Sequence, residues 1–309
     1  MIKAFQSLWV LGLVVFSGAA AAELEVRHVA GPGYAIVGEL GGRTYENHGL
    51  NATFGFVVTD TGVVLIDSGA SKAGAALIEK AVASVTDKPV THVINTGSQD
   101  HRWLGNGYFA DKGAQVIALA RTVDTQQRFA SQHMEQLQTV LKTRLDGTRP
   151  FHAPAPVDGN AAVLSIGGVD LHLRWLGDAH FPGDAVVWLP AEGVLYSGDL
   201  VYVERLLGVL PWSDAAAWRE AFGRMEALAP RHIVPGHGRP VGLEVARRDT
   251  GDYLDWLVVE LTEASGNWEP IDDVIARLAH APAFESLLNF AELHRGNLSR
   301  AYVQLEAQR

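Results

Sequence analysis

Asn95-Thr96-Gly97-Ser98-Gln99-Asp100-His101-Arg102-Trp103-Leu104-Gly105-Asn106 follows directly on Val90-Thr91-His92-Val93-Ile94, a β-branched run of the length of one short strand. A strand that breaks into a loop of Gly, Ser, Gln, Asp and His presents groups able to bind water or metal. In open α/β sheets, ligands bind where such loops from separate strands converge. The chain repeats the design. Val194 to Ser197 predicts a strand that stops at Gly198-Asp199, and Ile233-Val234 one that stops at Pro235-Gly236-His237-Gly238. His180 sits between a strand ending near Leu176 and Gly183-Asp184.

Outward from these loops, strand and helix signals alternate from about residue 54 to 240, which predicts a single α/β domain. Phe54 to Thr59 and Val63 to Ile66 read as a hairpin across Asp60-Thr61-Gly62. Ser71 can cap a helix carrying Leu77, Ile78, Ala81, Val82 and Val85, with Pro89 as its stop. Val116 to Leu119 predicts a strand, and Thr122 to Leu145 a long surface helix followed by a Pro-rich loop. Two more strand pairs are expected, Val163 to Ile166 with Val169 to Leu176, and Ala185 to Leu189 with Val194 to Ser197. Trp218, Phe222 and Met225 mark one face of a helix, and from about residue 243 the chain reads as helical. The expected organisation is a signal peptide over 1–22, a catalytic-type domain over 23–242 and a helical extension over 243–309 packed on it.

The signal-peptide reading rests on Lys3, the apolar stretch from Leu8 to Phe16 and the small residues Ala20-Ala21-Ala22. It predicts an exported protein, periplasmic or secreted. The apolar stretch is too short for a comfortable membrane span, so none is expected once it is cleaved. Composition narrows the chemistry further. A formal charge of -10 over 309 residues argues against a nucleic-acid binder that works by neutralising phosphates and points to a small-molecule substrate. With no cysteine there is no thiolate nucleophile, no disulfide and no Cys-held metal, which leaves imidazole and carboxylate as ligands. The twelve histidines divide on context: His92 and His172 fall inside strands and His133 mid-helix, whereas His101, His180 and His237 fall in the loops. Asp67 reads as a residue that orients a loop or a ligand.

Asn95-Thr96 with Asp100-His101 and Gly105-Asn106, Gly177 with His180-Phe181-Pro182-Gly183-Asp184, Tyr196-Ser197-Gly198-Asp199 and Pro235-Gly236-His237-Gly238 resemble, in that order, the motifs of the metallo-β-lactamase-fold hydrolase superfamily. The hairpin ending in Ile66-Asp67-Ser68-Gly69 resembles its first strand pair. The exported chain with its helical tail is similar, more narrowly, to the quinoprotein-associated zinc metallohydrolase branch. The resemblance implies a four-layer αββα sandwich with added C-terminal helices.

The family's first motif is His-x-His-x-Asp-His, and here it is degenerate. Aligning Asp100-His101 with Asp-His needs one extra residue before Gly105-Asn106 and puts Thr96 and Ser98 at the first two ligand positions. Aligning without a gap puts Gly97 and Gln99 there, His101 at the Asp position and Arg102 at the last His. In both registers the first metal loses two ligands. The resemblance then implies one metal at the second position, held by Asp100, His101, Asp199 and His237 in the gapped register, with His180 nearby. The ungapped register leaves His101, Asp199 and His237, a set that zinc hydrolases and non-haem iron sites share.

The expected activity is metal-assisted attack of water on an ester, lactone, thioester or amide. Zinc is the expected ion, with iron as the alternative. Asp100 serves as general base if it is not a ligand, and His180 or Arg102 partners the leaving group. Two other classes stay open: a non-catalytic periplasmic binding or accessory protein, and a mononuclear iron oxygenase.

Overall fold

The computed structural model describes residues 24–308; the segment read as a signal peptide lies outside them. Two sheets face each other. The first runs in chain order through β1 (Glu25–Ala30), β2 (Gly33–Val37), β3 (Thr53–Thr59), β4 (Gly62–Ile66), β5 (Val90–Ile94) and β6 (Gln115–Ile117). Pairing is antiparallel as far as β4 and parallel from β4 to β6. The second sheet is ordered β11 (His232–His237), β10 (Val194–Tyr202), β9 (Val186–Leu189), β8 (Val169–Arg174), β7 (Ala161–Ile166), with only β10 and β11 parallel.

Three buried clusters separate four layers. Val57, Val64, Ile66 and Ile94 of the first sheet meet Leu171, Leu173, Val187 and Val194 of the second. The outer face of the first sheet packs on α1 (Lys72–Ala83) and α3 (Asn106–Ala110), where Phe54, Leu65 and Val93 bury Ile78, Val82 and Phe109. The outer face of the second packs on α5 (Ala215–Glu226), α7 (Asp252–Gly266) and α9 (Phe290–Ala307) through Leu195, Trp218, Phe222, Leu257 and Leu298. This is the expected αββα sandwich, and the C-terminal helices thicken one outer layer.

Local chemistry explains the element boundaries. The Ser71 side chain accepts the Gly74 N–H at 3.0 Å and starts α1, as its sequence predicts. That helix ends at Ala83, six residues before Pro89, so the proline follows the stop and does not make it. The expected surface helix is α4 (Ala120–Leu141), continued by a tight turn over Lys142–Leu145. It is amphipathic, and Phe129, His133 and Leu137 on its inner face are buried. The largest departure from expectation is in β10, which does not stop at Gly198-Asp199 but runs on to Tyr202. Its pairing with β11 slips between Tyr196 and Gly198 and again before Tyr202. Such irregularity breaks the regular alternation of side chains, and Asp199 lies within the irregular stretch.

Candidate metal centre

The loop between β5 and α3 is pinned at both ends by a small amide lattice. The Asn95 side-chain amide donates to the Arg102 carbonyl at 3.1 Å, and Asn106 donates back to Asn95 Oδ1 at 2.8 Å. Ser68 donates to Asn106 Oδ1 at 2.7 Å, and Trp103 Nε1 donates to the Ser98 carbonyl at 2.9 Å. The short helix α2 (Asp100–Trp103) is thereby fixed under the ends of β10 and β11. Close approach does the rest. Gly198 has φ of +50° and a Cβ there would lie 2.3 Å from Thr96 Oγ1; one on Gly236 would lie 2.4 Å from the Gly198 carbonyl oxygen and 2.6 Å from Arg102 Nη2. Only glycine fits both places.

This scaffold brings His101, Asp199 and His237 together, all buried, with one ligand atom from each lying within 4.8 Å of the others. These are the groups of the ungapped register. His101 Nε2 is 3.1 Å from Asp199 Oδ2, and His237 Nε2 is 3.3 Å from Asp199 Oδ1. Asp100 and His180, also expected as ligands, lie outside the group. Asp100 is tied to the Arg43 guanidinium and accepts the His101 N–H at 2.7 Å. Burial works against its charge, but Arg43 outweighs burial and holds the carboxyl well below the usual carboxylate range.

His180 meets the Gly208 carbonyl through Nδ1 at 2.8 Å, so Nδ1 carries the proton and Nε2 the lone pair. Gln99 Oε1 lies 3.1 Å from that lone pair; two acceptors do not bond, so the amide must turn its NH2 to this side to donate to it. Burial pushes the imidazole down to about 4, which keeps it neutral. Gly97 and Gln99 add no donor suited to a cation there, so the first of the two positions implied by the motif does not fit a metal.

At the second position the decisive residue is Arg102, fully buried at 0% exposure. All of its N–H groups are used. Nε and Nη2 grip the two oxygens of Asp199 at 3.1 and 2.6 Å; Nη1 reaches Asp67 and the Thr53 carbonyl, and Nη2 also reaches the Gly236 carbonyl at 2.9 Å. Burial opposes both charges of the pair, yet Arg102 and His101 hold Asp199 well below its ordinary value, and Asp199 with Asp67 raises Arg102. With its donors committed, Arg102 has none left for a leaving group. Asp67, with φ of +65°, accepts the Thr96 N–H and hydroxyl at 2.7 and 2.6 Å, which is the orienting role expected of it. Asp184, buried near Asp199, is pushed well above the carboxylate range.

Whether an ion fits is decided by proton positions. His237 Nδ1 is 2.7 Å from the Asn51 carbonyl and must donate to it, so Nε2 turns a lone pair toward Asp199 Oδ1. Two lone pairs facing each other repel unless a positive centre shares them, and burial pushes protonation of His237 well below its usual range. His101 Nδ1 lies 3.2 Å from Asp100 Oδ1 and 2.7 Å from Arg43 Nη2. It can donate to Asp100 and leave Nε2 free for an ion, or accept from Arg43 with Nε2–H on Asp199. Asp199 and His237 fit one divalent cation by donor type, orientation and burial, and His101 joins them in the tautomer that donates Nδ1–H to Asp100. Reading the loop residue by residue found the histidines and Asp199. It missed Arg43, Asn51 and Arg205, which come from segments without a motif.

The sequence model of the metallo-β-lactamase superfamily matches residues 49–237. Among curated relatives, the metallo-β-lactamase type 2 of Bacteroides fragilis is 27% identical over 46% of this chain and 50% of its own length. The metallo-β-lactamase IND-1 of Chryseobacterium indologenes is 26% identical over 66% of this chain and 77% of its own. Against the first of these the chain spans only half of the relative. Of solved structures, the metallo-β-lactamase from Pontibacter korlensis superposes with a TM-score of 0.59 at 22% identity, covering 75% of this chain and 99% of that one.

Proposed function

Since the chain belongs to the metallo-β-lactamase superfamily, we propose that it is an exported metal-dependent hydrolase with a single divalent cation, zinc by preference, on His101, Asp199 and His237. The observation that carries this reading is the His237 lone pair, locked by the Asn51 carbonyl and facing a buried carboxylate. A divalent ion bound there supplies Lewis acidity and an acidified water, which suits attack on an ester, lactone, thioester or amide.

The chain's own residues do the rest. Arg102 fixes the orientation of Asp199 through both oxygens and keeps it ionised. Asp100, committed to Arg43, orients the His101 ring as a positioning residue in place of the base or ligand role the sequence suggested. His180, neutral, has its Nε2 taken by Gln99, and the two together form part of the cavity wall. Among the described residues no helix is long and apolar enough to cross a membrane.

The test is turnover of a panel of esters, lactones, thioesters and β-lactams by zinc-replete protein, compared with His237→Ala. Hydrolysis of one class that disappears in the variant supports the reading. One observation favours a second reading, a non-catalytic binding protein: Asp199 already has its charge neutralised by Arg102. Metal bound with no turnover across the panel would select it.

A further inference from the structure

A cavity of about 300 Å³ opens over His101 and His237. The protein carries a net charge of -10, yet no aspartate or glutamate lines this cavity, while Arg43 and Arg205 both do. Arg205 is the unusual one. Its Nη1 donates to the Leu40 and Gly41 carbonyl oxygens at 2.9 and 3.2 Å and lies 3.4 Å from His237 Nδ1, and among the described residues no carboxylate forms an ion pair with it. Its Nε is buried without a partner, and so is the Nε of Arg43. Arg43 has Asp100 as its counter-ion, whereas Arg205 is a mostly buried guanidinium with no carboxylate partner and an unsatisfied Nε, a cost that an anion in the cavity relieves.

The opposite wall is apolar: Leu137 and Val140 from α4, Leu210, and Leu293 from α9. The last of these comes from beyond residue 237, where the superfamily match ends. The same helix holds the segment that carries Leu210. Asn297 donates to the Leu207 carbonyl and accepts the Val209 N–H at 2.8 and 2.7 Å, Arg300 donates to the Val209 carbonyl at 3.0 Å, and Gln304 donates to the Leu210 carbonyl at 3.2 Å. The C-terminal extension is thus built into the cavity.

We infer that the cavity receives an amphiphilic anion, its charged head on Arg205 with Arg43 alongside and its hydrocarbon body against Leu137, Val140, Leu210 and Leu293. As a statement of substrate class it rests on the hydrolase reading above; as a statement of binding it does not. A scissile bond near the head would then lie beside His101 and His237, and the extension would select for the body.

The experiment measures binding of octanoate, octyl sulfate, octanol and acetate by calorimetry, on chelator-treated and zinc-replete protein in parallel. An octyl anion is expected to bind at least tenfold tighter than octanol and than acetate in both preparations, and the tighter of the two anions identifies the head group. Arg205→Gln should abolish the preference over octanol, Arg205→Lys should keep part of it, and Leu293→Ser should weaken the octyl anions without changing acetate. Equal binding of octanoate and octanol by the unmodified protein overturns the proposal. So does anion binding that needs zinc and survives Arg205→Gln, since the head would then sit on the ion. Absence of zinc by elemental analysis would instead remove the hydrolase reading and leave the binding result standing.

Discussion

Two positions for a metal lie a few residues apart in the same loop, and they have diverged in different ways. At the first, ligand-type residues are missing: Gly97 has no side chain and Gln99 caps the one remaining imidazole, His180, by hydrogen bonding. The space Gly97 leaves is bordered by Asp184, whose Oδ1 is buried without a partner and would lie 2.9 Å from a Cβ at Gly97. At the second, three donors persist, and the fourth position carries a guanidinium that makes five hydrogen bonds. The first has been closed with neutral groups. The second has gained a permanent cation, which neutralises Asp199 yet leaves two histidines aimed at it. A site can therefore lose a ligand and keep its shape, provided the replacement satisfies the same carboxylate.

The contrast breaks most visibly at Arg102. Arg102→Met leaves Asp199 and Asp67 buried without their counter-charge and should cost about 3–5 kcal/mol in urea unfolding. A loss under about 1 kcal/mol would mean that these carboxylates do not depend on it. Next in size is a pH effect from the first position. Folded His180 titrates at about 4 against an unfolded value of about 6.5, so the unfolded chain binds more protons as pH falls through that window. Stability should therefore drop by about 3 kcal/mol between pH 7 and pH 4 from this residue, beyond the loss shown by His180→Gln over the same range. Identical pH profiles for the two proteins would show that His180 is not held neutral by burial.

A smaller effect sharpens the second position. Asp100→Asn should weaken zinc binding by roughly 10–100-fold while the protein stays folded, as measured by competition with a chelating dye. Unchanged affinity would remove Asp100 as the orienting partner of His101. The smallest effect belongs to Gln99→Ala, about 0.5–1.5 kcal/mol for its bond to His180, with no change in metal content.

The sandwich was legible because each hairpin and helix carries its own period and its own stop, as Ser71 and the Asp60-Thr61-Gly62 turn illustrate. His101, Asp199 and His237 were legible because strand ends and flanking glycines announce them. The register was not. Asp100 and His101 are neighbours, and which of them faces Asp199 is decided by Arg43, fifty-seven residues away from Asp100. The run of β10 past Asp199 was also hidden, since Gly198-Asp199 reads locally as a strand end and only pairing with β11 carries it on to Tyr202. Arg102 could be assigned to a family position but not to a role, because its partners Asp67, Thr53, Asp199 and Gly236 come from four segments.

Elemental analysis of the protein after zinc loading and exhaustive dialysis at neutral pH, side by side with His237→Ala, asks most directly whether the Arg102-braced trio still grips a metal. About one zinc per chain, absent from the variant, is the expected result. No retained zinc would show that the guanidinium has replaced the ion outright, and two per chain would show that the first position is not closed.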